Sequence, residues 1–139
     1  MSSQFVAAAV IYAKDMLRIS KFYEAIACLV VVETGEGYIV LEGGGFQLSV
    51  VAIPANIAAT VKVSDPPTRR EGSPIKLVHF VQSIAAARKQ TTELGGHLNS
   101  AAREWKFQGV RVCDGHDPEG NVFQLRENPL ANSVAECNG

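Results

Sequence analysis

The chain has little of most things that would mark a specialised class. Its 13 basic and 14 acidic residues nearly cancel, leaving a net charge of −1. Arg69-Arg70 is a basic pair and not a stripe, so a nucleic-acid partner is not expected. No apolar run approaches the ~20 residues that a membrane span needs, so no membrane association is expected either. The start, Met1-Ser2-Ser3-Gln4, lacks the charged head and apolar core of a signal peptide. Cysteine is sparse: Cys28, Cys113 and Cys137. Their odd number, wide spacing and lack of any Cys-x-x-Cys pair predict free thiols in a reducing compartment, hence a cytoplasmic protein without structural zinc.

What is present is ordinary globular material. Hydrophobic residues make up 47% and charged residues 19% of 139, enough for one average domain or two small modules sharing a core.

Phe5 to Ala13 is apolar throughout and reads as a buried strand. Asp15 is a candidate N-cap. After it Met16, Ile19, Phe22, Tyr23, Ile26 and Ala27 recur at helical spacing, with Arg18, Lys21 and Glu24 on the other side. Leu29 to Glu33, Tyr38 to Glu42 and Phe46 to Ile53 read as strands joined by the turns Thr34-Gly35-Glu36-Gly37 and Gly43-Gly44-Gly45. The first half, about residues 5–53, is therefore β-α-β-β-β. Residues 54–74 lose periodicity and gather Asp65-Pro66-Pro67, Gly72 and Pro74, as a linker or surface loop does.

Residues 75–127 repeat the pattern. Ile75 to Val81 is a strand and Ser83 an N-cap. A helix face follows at Ile84, Ala87, Thr91 and Leu94, closed by Gly95-Gly96. His97 to Ala101 and Phe107 to Cys113 are candidate strands. Asp117-Pro118-Glu119-Gly120 has the residues of a type I turn, and Val122 to Glu127 alternates as a strand. Residues 128–139 read as a tail with low ordering propensity. Ala13 before the first helix matches Val81 before the second, and Gln47 matches Gln124. The matched points lie 34 residues apart in the first half and 43 in the second. The excess is assigned to a longer loop around Ala102 to Gln108. Such a repeat buries each unit's face against the other.

Three pieces together carry a resemblance: Ala13-Lys14-Asp15-Met16 leading to Phe22-Tyr23, Glu93-Leu94-Gly95-Gly96, and Asp117-Pro118-Glu119-Gly120-Asn121. The chain resembles the vicinal-oxygen-chelate superfamily of glyoxalases, bleomycin-resistance proteins and extradiol dioxygenases over residues 5–127. The resemblance implies an α+β fold of two βαβββ modules, their mixed sheets curled round a central cavity with the helices outside. Family enzymes hold a divalent metal there, with His or Gln from the first strand of each module and usually Glu from the last. Carried onto this chain, the positions are Ala8, Gln47, Lys76 and Gln124. Ala8 has no donor, Lys76 repels a cation when charged, and the two amides bring no negative charge. No metal and no other cofactor is therefore expected, nor the metal-dependent chemistry.

Strand parity turns Ala8, Val10 and Tyr12; Gln47 and Ser49; Lys76, Val78 and Phe80; and Val122, Gln124 and Arg126 toward the cavity. An apolar wall with a few polar groups suits a small molecule. The alternative is that Lys76 and the glutamines bond one another and fill a collapsed cavity. Lys76 either pairs a ligand anion or reaches to solvent. Trp105, near Arg103 and Arg111, is either an aromatic lid or packing. The expected ligand-binding set is Tyr12, Gln47, Ser49, Lys76, Phe80, Trp105, Arg111 and Gln124, with no catalytic residue. The reading is a metal-free small-molecule-binding protein, assembled as a homodimer. One alternative is a metal-dependent lyase, isomerase or dioxygenase of the same fold, and another is a structural or regulatory module with a filled cavity.

Overall fold

The computed structural model describes residues 4–128. It is a mixed α+β structure of two mixed sheets with three α-helices and one 3₁₀ helix among the described residues. The first sheet contains β1 (Ala7–Ala13), β2 (Val30–Gly35), β3 (Tyr38–Gly43) and β4 (Phe46–Ala52) in the order β1-β4-β3-β2. Helix α1 (Met16–Ile26) carries the chain from β1 onward, and β1 ends up parallel to β4. The short α2 (Ala55–Ala58) follows. The second sheet contains β5 (Leu77–Val81), β6 (His97–Leu98), β7 (Trp105–Phe107), β8 (Val110–His116) and β9 (Val122–Glu127). Its order is β5-β9-β8-β6, with β7 also on β8, and α3 (Ile84–Glu93) crosses from β5.

Both long helices begin where a side chain caps them. Asp15 accepts from the Arg18 N–H, and Ser83 from the Ala86 N–H. The apolar stripe of α1 buries Ile19, Phe22, Tyr23 and Ile26 completely or nearly so. These residues touch the second sheet as well as the first. Phe22 and Tyr23 lie 5.8 and 6.2 Å, centroid to centroid, from Phe123 on β9, and Tyr23 lies 5.7 Å from His79 on β5. One core thus spans both sheets. Each such buried side chain contributes about 1.5–3 kcal/mol.

The turn Asp117–Asn121 locks the halves together. Its own closure is the Gly120 N–H donating to the Asp117 carbonyl at 2.9 Å. The Asp117 carboxylate is fully buried and accepts from the Tyr23 hydroxyl on α1 at 2.8 Å, from the Asn121 side-chain amide, and from the backbone N–H groups of Glu119 and Asn121. Burial raises its pKa while these donors pull it down. Glu119 reaches the start of α1 and accepts from the Lys14 and Asp15 N–H groups at 2.8 and 2.7 Å.

Several sequence expectations change. β1 is not buried on both sides: Val10 and Tyr12 are 55% and 66% exposed, because only its odd-numbered residues face α1. Residues 54–74 are docked. The Arg70 N–H donates to the Gly120 carbonyl and Arg70 Nε to that of Glu119, while Arg69 Nη2 reaches Asn99 Oδ1 at 2.8 Å. A Cβ on Gly120, at φ +85°, would strike the Thr68 carbonyl. The expected loop around 102–108 is a one-turn 3₁₀ helix, Ala101–Arg103, followed by β7. β7 hairpins onto β8 through Gln108 and Gly109, both at positive φ. The strand expected over His97 to Ala101 is only two residues long. Cys28 is disulfide-bonded, contrary to the free-thiol reading that supported a reducing compartment; Cys113 is a buried free thiol. The expected tail beyond Asn128 lies outside the described residues. No described helix is long and apolar enough to cross a membrane.

Candidate functional site

The candidate site is the face of each sheet that the helices do not cover. Register places its residues. Ala8 on β1 lies opposite Gln47 on β4, which lies opposite Glu42 on β3. In the second sheet Val78 on β5 lies opposite Gln124 on β9, which lies opposite Asp114 on β8. The two rows are equivalent by strand position. The partner of Ala8 in the second half is therefore Val78, and Lys76 lies two residues earlier, outside β5.

The rows differ in chemistry. In the first, Gln47 Nε2 donates to Glu42 Oε2 at 3.1 Å, and the Gln47 carbonyl oxygen has no protein partner among the described residues. Ser49 is half-buried beside it and Tyr12 stands exposed. In the second, Asp114 accepts from Lys76 Nζ at 2.8 Å and from Gln124 Nε2 at 3.1 Å. Gln124 Oε1 then accepts from Arg126 Nε at 2.8 Å. The Arg126 guanidinium lies 4.8 Å from the Phe107 ring centroid and 6.0 Å from that of Phe80. Both contacts are within cation–π range. Trp105 sits on β7 opposite Val112 and is 41% exposed on the same face. Of the expected set, Lys76 and Gln124 come together, Phe80 and Trp105 flank them, and Tyr12, Gln47 and Ser49 belong to the other sheet.

Arg111 does not join them. It turns to the helix side, where Nη1 is 3.4 Å from Glu104 Oε1, and Glu104 also pairs with Arg88 of α3. Asp114, Glu42, Arg126 and Phe107 complete the two rows and were absent from the expected set. The cross-strand register that brings them in is not written in the linear sequence.

The donor set does not suit the family's metal. Ala8 and Val78 supply no donor. The Gln124 carbonyl oxygen is already taken by Arg126. The two carboxylates, Glu42 and Asp114, stand one strand beyond the usual ligand position, each bonded to a glutamine amide. Among the described residues no three His, Cys, Asp or Glu side chains form a metal-binding group.

β1 and β5 are not hydrogen-bonded to each other, and a cleft opens at each end of the line where the sheets abut. One, of about 530 Å³, is lined by Val10, Tyr12, Ile75, Leu77 and Val122. The other, of about 490 Å³, is lined by Phe46, Val78, His79 and Phe80. Burial holds the His79 imidazole near pKa 4, and its Nε2 has no hydrogen-bond partner among the described residues. It is a neutral, core-packed side chain at ordinary pH. His116 is also shifted down, by burial and the neighbouring Arg69 and His97.

A sequence model of the glyoxalase-like domain matches residues 8–126. No curated protein matches the chain significantly. Among solved structures, a glyoxalase/bleomycin resistance protein/dioxygenase family enzyme from Burkholderia phytofirmans superposes with TM-score 0.67 at 18% identity, covering 88% of this chain and 98% of that one. The fosfomycin resistance protein FosX from Mesorhizobium loti gives 0.62 at 11% identity, covering 94% and 96%. A bleomycin resistance determinant encoded on the transposon Tn5 gives 0.56 at 18%, covering 88% and 97%. At these identities the structural likeness speaks for the fold alone.

Proposed function

The chain belongs to the glyoxalase-like domain family, and from that premise we propose that it is a metal-free protein that binds or sequesters a small molecule on the open faces of its two sheets. The observation that carries this reading is the row of residues at the family's ligand positions. Two are alkyl side chains, and one of the two amides has its oxygen occupied. A divalent cation needs several oxygen or nitrogen donors with compensating negative charge. What remains is apolar surface in two clefts, Val10 and Tyr12 in one and Val78 and Phe80 in the other, with a few directed polar groups on the same faces, which is the make-up of sites that recognise by shape, stacking and hydrogen bonds. Gln47, Ser49, Lys76, Trp105 and Gln124 add polar and aromatic groups to the same open faces. We further propose a homodimer with pockets near the subunit interface, since the same exposed apolar residues favour being covered.

Metal analysis of the purified protein together with a thermal-shift screen of small molecules tests the reading. The expected result is no stoichiometric metal and at least one stabilising compound whose effect survives a chelator. Tightly held Zn, Ni, Mn or Fe at one per chain, or stabilisation abolished by the chelator, would overturn it. Analytical ultracentrifugation tests the dimer.

A further inference from the structure

We propose that Arg126 is an oxyanion subsite on the open face of the second sheet, and that the ligand is a small monocarboxylate with an apolar or aromatic body. The proposal rests on the ligand-binding reading and adds the ligand's chemical class.

The argument starts from what holds Arg126. Its Nε is committed to Gln124 Oε1, and Gln124 is itself oriented by Asp114, which accepts from its amide nitrogen. One face of the guanidinium lies over Phe107, with Phe80 to the side. The planar group is thus fixed in position and tilt. Its two Nη groups have no protein partner among the described residues, although the side chain is only half-exposed. An arginine whose fork is preorganised and unpaired offers the geometry that a carboxylate meets with two parallel hydrogen bonds. Less rotamer freedom is lost on binding, because the rings and Gln124 have already removed it.

Charge decides between kinds of anion. Lys76 is the nearest other cation named in the row, and it is neutralised by Asp114. The row therefore presents one net positive charge. That matches a monoanion. A phosphate or phosphonate dianion would call for a second uncompensated cation. The surroundings of the fork decide the body of the ligand: Val78, Phe80, Phe107 and Trp105 are exposed on the same face. The equivalent row of the first sheet, Ala8, Gln47 and Glu42, bears no cation and would repel the carboxylate, which sets one orientation.

The test uses benzoate, its neutral isostere benzamide and inorganic phosphate as probes. Each is titrated into the full-length protein while the arginine Nε–H cross-peaks and the backbone peaks of Val78 and Phe80 are followed by NMR. The Arg126 peak is identified by its loss in Arg126→Met. Benzoate is expected to shift the Arg126 Nε–H and the Phe80 amide, and to bind about fivefold more tightly than benzamide. Arg126→Met should weaken benzoate more than benzamide and abolish the preference between them. Arg126→Lys should retain part of the preference, and its unchanged melting temperature would exclude misfolding as the cause. Equal binding of benzoate and benzamide, or benzoate binding unaffected in Arg126→Met, overturns the subsite while leaving the ligand-binding reading in place. Absence of any benzoate shift, or a stronger response to phosphate, also overturns the carboxylate assignment. The thermal-shift screen decides the broader reading separately.

Discussion

In the first half β3 turns into β4 through Gly43, Gly44 and Gly45; in the second, β8 turns into β9 through Asp117 to Asn121. The two turns occupy the same place in the repeat. Beyond the sheet ladders, the first makes a single hydrogen bond outside itself among the described residues, the Gly45 carbonyl accepting from the Val6 N–H at 2.9 Å, and a Cβ on Gly44 at its tip would meet nothing within 4 Å. The second binds α1, the chain segment around Thr68 to Arg70, and its own backbone. The same contrast runs along the open faces. The first sheet has Ala8, Gln47 and Glu42, while the second has Val78, Gln124 and Asp114 with Lys76 and Arg126 added. A duplicated architecture has divided its tasks. The second half carries the interlock and the cationic, aromatic part of the open faces; the first has a smaller and more acidic row.

The sharpest way to break this comparison is to remove the interlock. Asp117→Ala takes away the acceptor for four donors, one of them the buried Tyr23 hydroxyl. A loss of about 3–5 kcal/mol is expected in urea unfolding. Gly44→Ala, strained only by its φ of +58°, should cost about 1–2 kcal/mol. Equal losses at the two turns would mean that they are not functionally distinct.

A smaller effect separates the core faces of β1 and β5. Where the second half has His79 opposite Leu125, the first has Ala9 opposite Leu48. His79 titrates near pH 4 when folded, against an unfolded value of about 6.5. Between those values the unfolded chain binds the extra proton, so stability falls as pH drops from about 6.5 to 4. The full decline from this group is about 3 kcal/mol. His79→Leu should flatten that part of the pH profile of unfolding. A slope left intact would show that the imidazole is not the group responsible.

The smallest expected difference lies between the two carboxylates. Asp114→Ala frees Lys76 and Gln124 and should cost about 1 kcal/mol, discounted because Lys76 is 41% exposed. Glu42→Ala loses only one partner, Gln47, and about 0.5 kcal/mol or less is expected. Thermal denaturation of the single mutants side by side resolves the two. A larger loss at Glu42 would reverse the assignment of the polar network to the second half.

Much of the fold was legible because its signals are local. Asp15 and Ser83 announce the helices they cap, and the alternation around Phe123-Gln124-Leu125 marks a strand. β7 has its own local signal: Gln108-Gly109 stands between Trp105-Lys106-Phe107 and Val110-Arg111-Val112, a two-residue turn between strand formers. The site was less legible. Counting back from the strand ends, Val81 and Ala13, sets Lys76 against Ala8. The structure instead pairs Val78 with Gln124 as it pairs Ala8 with Gln47, because the path from strand to helix cap is two residues shorter in the second half. Asp114 and Arg126 become site residues only through neighbours ten and two positions from Gln124, on facing strands or the same face. Such partners are set by sheet register, which a linear reading does not contain.

Glu119 accepts from the Lys14 and Asp15 N–H groups just ahead of α1, 105 and 104 residues earlier in the chain. This has a consequence for the order of events during synthesis. While the ribosome is still making the second half, α1 has its own Asp15 cap but neither the Glu119 carboxylate nor the Phe123 ring that covers Phe22 and Tyr23. The first half therefore waits, with an apolar helix face unsheltered, until nearly the last strand emerges. Contacts between parts of a chain so far apart in sequence slow folding and leave apolar surface exposed on the nascent chain in the meantime. A stop codon or frameshift shortly before Asp117 would thus leave a first half without its cover, and not a smaller working protein.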